Sequence, residues 1–220
     1  MKISILLILF ISTSLACVAQ TMSSIFCLLP KDCISDLNIN QKRSLLKNKK
    51  YTLPGGDSLE TIRYTIDIQE QKQYLSCEMN FTTGQNGFNS FQLRKFIKKD
   101  GSLLIVFSNY GGVPRSYFQN EIRCFNYAGN KLIEIKNQFL PDSVEIKKFF
   151  KPGTPDSIII KLEPYISTSS DLNPGLKNTI TFRIFLEFSD EGNEKYIIGD
   201  TMPFFWTGQK SRQGQIRNLD

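Results

Sequence analysis

The chain contains no histidine, so any proton transfer or nucleophile activation in it falls to carboxylates, lysines and tyrosines. The close acidic pairs are Asp57 with Glu60, Asp142 with Glu145, and Asp190 with Glu191. Each sits at an expected turn or helix start, where a carboxylate caps backbone N–H groups, and we assign catalysis to none of them. A cysteine or serine nucleophile lacks its usual imidazole partner, and no Gly-x-Ser-x-Gly elbow occurs. A Ser–Lys dyad needs only proximity in space, and no feature of the sequence argues for one. Cys27 and Cys33 flank Pro30 at a separation that fits neither a Cys-x-x-Cys redox pair nor a zinc site. No catalytic residue, metal or cofactor is therefore expected.

Binding chemistry is better represented. The stretch Tyr110 to Phe118 (YGGVPRSYF) combines two glycines and a proline with Tyr110, Arg115 and Tyr117, the residue types that dominate recognition hot spots. It reads as a ligand-binding loop, with Tyr110, Arg115 and Tyr117 as the candidates; the competing reading is a strand connection whose aromatics fold into the core. Cys77 and Cys124 both fall on the apolar phase of expected strands, as a cross-strand disulfide or as two buried thiols. The pattern Asp, then Ser or Thr, then an apolar residue recurs at Ser58, Ser143, Ser157 and Thr201. It resembles the acceptor motif for protein O-glycosylation in exported proteins of the Bacteroidetes, although Asp-Ser is also common at turns and caps.

The chain's first residues decide where such chemistry would take place. Lys2, the apolar run Ile3 to Ile11 and the small residues Cys17-Val18-Ala19 make a signal peptide over residues 1–19, and no later stretch approaches the ~20 apolar residues of a membrane helix. Leu15-Ala16-Cys17 also resembles a bacterial lipobox, which would acylate Cys17; a membrane association is expected in that case alone. The formal charge of +6 is dispersed, without the basic helix or stripe that nucleic acid requires, so no nucleic-acid partner is expected. The destination is the periplasm or the outer membrane.

Hydrophobic spacing then supplies the scaffold. Thr21 to Leu46 carries broken helical signals: an apolar patch stopped by Pro30, a piece over Cys33 to Leu37 capped by Asp32, and a piece over Gln41 to Lys47. Ile62 to Ile68 and Leu75 to Phe81 alternate strictly and should pair as a hairpin. Phe91 to Ile97 and Leu103 to Phe107 flank Asp100-Gly101, read as a two-residue turn with both residues at positive φ. Phe118 to Tyr127 and Lys131 to Phe139 continue the meander. Further expectations are a helix or helical turn over Leu140 to Lys151, strands at Ile158 to Leu162, Thr179 to Phe188 and Lys195 to Ile198, and a loop over Ser167 to Gly175. The sum is an α+β fold, short N-terminal helices packed on a predominantly antiparallel sheet of about seven to nine strands. It forms a single domain over 20–206, followed by a disordered polar tail at 207–220.

Two segments carry a family likeness: Ala19 to Leu46, with its short helix, Leu-Pro step, Leu-rich second helix and Asn-containing turn, and Leu104 to Leu132, with its apolar strand, Tyr-Gly step and proline. Both are similar to a family of uncharacterised exported Bacteroidetes proteins, from which the cysteines here depart. The resemblance implies the compartment and a plan of helices followed by sheet, and it carries no activity. The function expected is that of a non-enzymatic exported binding or interaction protein of the bacterial cell envelope, its partner an envelope protein or glycan. The alternatives are a glycoside hydrolase working through paired carboxylates and an inhibitor or immunity-type protein.

Overall fold

The run Leu103-Leu104-Ile105-Val106-Phe107 has no polar phase, and a strand of that kind must be covered on both faces. In the computed structural model all five side chains are buried. Leu103, Ile105 and Phe107 enter one apolar core, and Leu104 and Val106 enter another on the opposite face. The structure describes residues 20–218 except 35, 55–60, 82–87, 114–115, 138–140, 142–143, 174, 176–177 and 187–191. At 54, 81, 88, 113 and 116–120 it describes the backbone alone. Residues 1–19, read above as a signal peptide and including Cys17, thus lie outside the described residues.

The strand with this run is β5 (Leu103–Val113), inside a seven-stranded antiparallel sheet built in chain order. Its companions are β1 (Lys50–Pro54), β2 (Thr61–Gln69), β3 (Tyr74–Phe81), β4 (Phe88–Ile97), β6 (Ser116–Ala128) and β7 (Lys131–Ile135). The expected β2–β3 hairpin forms, with Ile66 opposite Cys77. The turn at Asp100-Gly101 differs from expectation: Gly101 alone has positive φ (80°), and its N–H donates to the Lys98 carbonyl. This is a three-residue loop with a left-handed glycine, and Asp100 instead accepts from the Ser102 N–H and hydroxyl. The paired positive φ values occur at Gly129 (56°) and Asn130 (59°).

On one face lie α1 (Met22–Leu28) and α2 (Ile39–Asn48). The Thr21 hydroxyl caps α1 by accepting from the Ser24 N–H, and Asn38 with Gln41 forms a capping box on α2. Met22, Ile25 and Phe26 of α1 are fully buried. Because α1 touches β2, β4 and β7, strands near opposite edges of the sheet, the sheet curls around it. The helix expected over Cys33 to Leu37 is a turn instead. Asp32 does not cap it, its carboxylate being engaged by Arg123 at 2.9 Å.

The other face is covered by a second antiparallel sheet in the order β11-β10-β9-β8, comprising β8 (Ile166–Asp171), β9 (Thr179–Leu186), β10 (Thr201–Trp206) and β11 (Ser211–Gln213). The Trp206 indole N–H donates across to the Ile97 carbonyl at 3.0 Å. Four expectations are corrected here. Ile158 to Leu162 is helical, part of α3 (Asp156–Leu162), since Ile159 and Leu162 are buried and Ile160 faces solvent. The polar run after Ile166 is strand β8, whose Ser170 hydroxyl meets that of Ser108 at 2.9 Å in the seam between the sheets. The strand expected at Lys195 to Ile198 is a 3-10 turn, Glu194–Tyr196, while of the helix or helical turn expected over Leu140 to Lys151 the described residues form the 3-10 turn Ile146–Phe149. The tail is ordered as far as 218: β11 pairs with β10, and Arg217 exchanges backbone hydrogen bonds with Thr201. Thus the α+β class stands, with its strands divided between two sheets.

Candidate functional site

The turn after α1 bridges the mouth of the curled sheet. At one end the Arg123 guanidinium on β6 donates to Asp32. At the other the Tyr64 hydroxyl on β2 donates to the Asp36 carboxylate at 3.3 Å. Beneath the turn is a cavity of about 120 Å³, walled by Asp32, Cys33, Ile34, Asp36 and Tyr64. Its floor is Met79, Asn89, Phe91 and Asn109. The sheet register explains that floor: Met79 pairs with Asn89 and Phe91 with Asn109, so their side chains share the helix-bearing face of β3, β4 and β5. Phe91 stacks between Phe26 of α1 and Phe107 of β5, at 5.9 Å from each.

Electrostatics fix the protonation of this site. The Arg123 guanidinium holds Glu134 through two N–H groups, Nε at 2.9 Å, and donates to the Cys33 sulfur at 3.2 Å. It lies over the Phe125 ring, and Glu121 stands 3.9 Å from Nε. Hydrogen bonds from Arg123 hold the Asp32 and Glu134 carboxyls below their ordinary range. Burial pushes the Cys33 thiol up to about 12. Burial, reinforced by the neighbouring Asp36, raises the Tyr64 phenol. At neutral pH the site therefore holds an ionised Asp32, a protonated thiol and a protonated phenol. What it offers is hydrogen bonding, from Asp36 and the amides of Asn89 and Asn109. The Asn109 Oδ1 is shielded from solvent and has no hydrogen-bond partner among the described residues.

The residues singled out from sequence lie elsewhere. Tyr110 follows Asn109 on β5 and so faces away from the cleft, opposite Ser90 of β4. The loop expected from Tyr110 to Phe118 is largely strand: β5 and β6 pair as far as Val113 opposite Ser116, with an irregular register between Asn109 and Gly111. Tyr117 pairs with Gly112 through its backbone, its side chain is outside the described set, and Arg115 is outside it altogether. Ser58 and Ser143 also fall outside the described residues. Ser157 is exposed in the first turn of α3, whereas Thr201 is buried and its hydroxyl donates to the Arg217 carbonyl at 2.7 Å. Cys77 and Cys124 are free thiols. Cys77 faces the helices and Cys124 the second sheet, with β4 and β5 between their strands, so of the two readings the pair of buried thiols is the one found and no bridge forms. Asp32, Asp36, Tyr64, Asn89, Asn109 and Arg123 were not anticipated as a group. They are scattered along the chain, and only curling of the sheet gathers them.

Among the described residues no cluster of three or more metal-ligating side chains occurs. No protein-family model and no curated protein matches the sequence. In structure the chain is similar to a domain of an uncharacterised protein from Porphyromonas gingivalis W83, a member of the Bacteroidetes, with a TM-score of 0.63 and 13% sequence identity. The match covers 89% of this chain and 98% of that one, so the two share a fold over nearly their whole length.

Proposed function

We propose that the chain is a non-enzymatic binding or interaction protein of the bacterial cell envelope, exported by residues 1–19, which takes a polar group of an envelope protein or glycan in the cleft beneath Asp32 to Asp36. The carrying observation is that Asp32 and Cys33 of the cleft are committed to Arg123 while the Asn109 oxygen is not paired among the described residues. Asp32 is held ionised by Arg123 and Cys33 is held as a thiol, yet the Asn109 oxygen lacks a partner among the described residues. Such a surface recognises without transferring protons. A glycoside hydrolase needs two carboxyl groups flanking the scissile bond, one of them protonated. Asp32 and Asp36 come from one turn, and Asp32 is held as the anion. The shared fold with the Porphyromonas gingivalis domain accords with the exported Bacteroidetes family that residues 19–46 and 104–132 resemble. Of the O-glycosylation candidates, we take Ser157 as the acceptor among the described residues, because its hydroxyl is accessible and that of Thr201 is not.

The test is a thermal-shift screen with envelope glycan fragments and peptides, on the wild type and on Asp36→Asn and Asn109→Leu. A ligand that stabilises the wild type and neither variant supports the reading. Release of sugar from a glycan, lost in Asp36→Asn, would replace it with the hydrolase.

A further inference from the structure

In an antiparallel meander alternate turns gather at one end, so the β2–β3, β4–β5 and β6–β7 turns lie together, opposite the end that holds the β3–β4 and β5–β6 connections. These turns carry exposed Lys72, Lys99 and Lys131, with partly exposed Lys98 beside them. Two further segments reach the same end. The loop after β10 brings exposed Lys210, since the Lys99 N–H donates to the Gly208 carbonyl and the Lys99 ammonium to Gln209. The α2–β1 connection brings exposed Lys49, whose carbonyl accepts from the Ile66 N–H near the close of β2. Six lysines there face three carboxylates, Asp67, Glu70 and Asp100. Glu70 is turned to the start of α1, accepting from the Met22 and Ser23 N–H groups, and Asp100 accepts within its own turn. Lys72, Lys131 and Lys210 form no ion pair among the described residues. The cleft end carries Asp32, Asp36 and Glu121 with Arg123 among them.

The N-terminal segment enters at this basic end. The buried Lys95 ammonium near the end of β4 donates to the Gln20 carbonyl at 2.7 Å, and the Gln20 side chain accepts from Ser24.

We propose that the lysine-bearing turn end docks on the surface of an anionic phospholipid membrane, which leaves the cleft facing away from it. The proposal rests on the envelope reading for its setting, but not on the cleft. Each lysine close to an anionic leaflet raises partition roughly fivefold, and the effect fades within a Debye length. A net excess of three charges then amounts to roughly a hundredfold preference over a neutral surface at low salt.

The experiment is sedimentation of the processed, unacylated protein with vesicles containing phosphatidylglycerol and with vesicles of phosphatidylcholine alone. The wild type is expected to sediment with the first and not the second, and to be released as salt is raised. Neutralising Lys72, Lys99, Lys131 and Lys210 to glutamine should lower partition at least ~tenfold. The same charge loss at Lys148, Lys151, Lys161 and Lys195, all exposed elsewhere, should change it little. Melting temperatures establish that both variants fold. Equal binding to both vesicle types, equal loss in both variants, persistence at high salt, or no sedimentation with phosphatidylglycerol overturns the docking surface. None of these results bears on the cleft, whose ligand is assayed without membranes.

Discussion

Arg123 on β6 reaches Asp32 in the turn after α1 at 2.9 Å, a contact between residues far apart in sequence that holds the roof of the cleft over its floor. The same guanidinium is paired with Glu134 of β7 and lies over Phe125, so it joins the edge of the curled sheet to the segment crossing its mouth. Arg123→Met keeps the apolar stem and removes these hydrogen bonds. The expected cost is about 2 kcal/mol, the scale of hydrogen bonds to charged groups, measured by urea denaturation, with loss of cleft binding.

The same pair predicts a pH dependence. Asp32 and Glu134 have folded-state values lowered from the ordinary 3.8 and 4.5 by hydrogen bonds from Arg123. A lowered carboxyl stabilises the fold above its unfolded value, and that contribution is lost as pH falls through the folded value. Stability should therefore decline as pH drops below about 4.5, and the decline should be shallower in Arg123→Met. Equal acid sensitivity in both proteins would remove the pair from the account.

The thiols give a third prediction. Cys33 and Cys77 are buried and raised to about 12, and Cys124 is buried as well, while Cys27 is partly exposed. Alkylation of the folded protein at mildly alkaline pH should label Cys27 first and the other three only after denaturation. A peptide linking Cys77 to Cys124 would contradict the placement of these residues on opposite faces of the sheet.

The C-terminal segment belongs to the fold. A Cβ added at Gly199 would lie 2.6 Å from the backbone carbon and oxygen of Arg217, so Gly199→Ala must displace that segment, at a cost of about 1–3 kcal/mol. Removing residues 207–220 deletes β11 and should lower the melting temperature; an unchanged melting curve would restore the reading of these residues as an unstructured tail.

Much of the first sheet was legible because local and long-range demands agree there. The alternation Ile62-Tyr64-Ile66-Ile68 and the continuous Leu103 to Phe107 run each allow one burial pattern, and the structure has it. Legibility failed where tertiary contact overrode local chemistry. Ser167 to Asp171 looks like a loop until Ser170 is set against Ser108 between two sheets. Ile158 to Leu162 reads as a short apolar strand, yet a run that short has no periodicity of its own, and burial of Ile159 and Leu162 makes it a helix. The candidate site was the least legible part. Its members have ordinary roles nearby in sequence, as Asp32 does as an expected cap, and acquire a common one only when β2 to β6 curl beneath the turn after α1. The bulky Tyr110 to Phe118 stretch drew attention by composition, yet one residue of strand phase separates Tyr110 from the cleft that Asn109 lines.

The central claim is that the cleft is a binding site without turnover. Titrating a ligand found by the thermal-shift screen into isotopically labelled protein, and following amide resonances, tests it most directly. The account predicts saturable shifts centred on Asp36, Asn89, Phe91 and Asn109, with the ligand unchanged at the end of the titration. Shifts centred on Tyr110 and the opposite face of β5, or conversion of the ligand during the measurement, would contradict it.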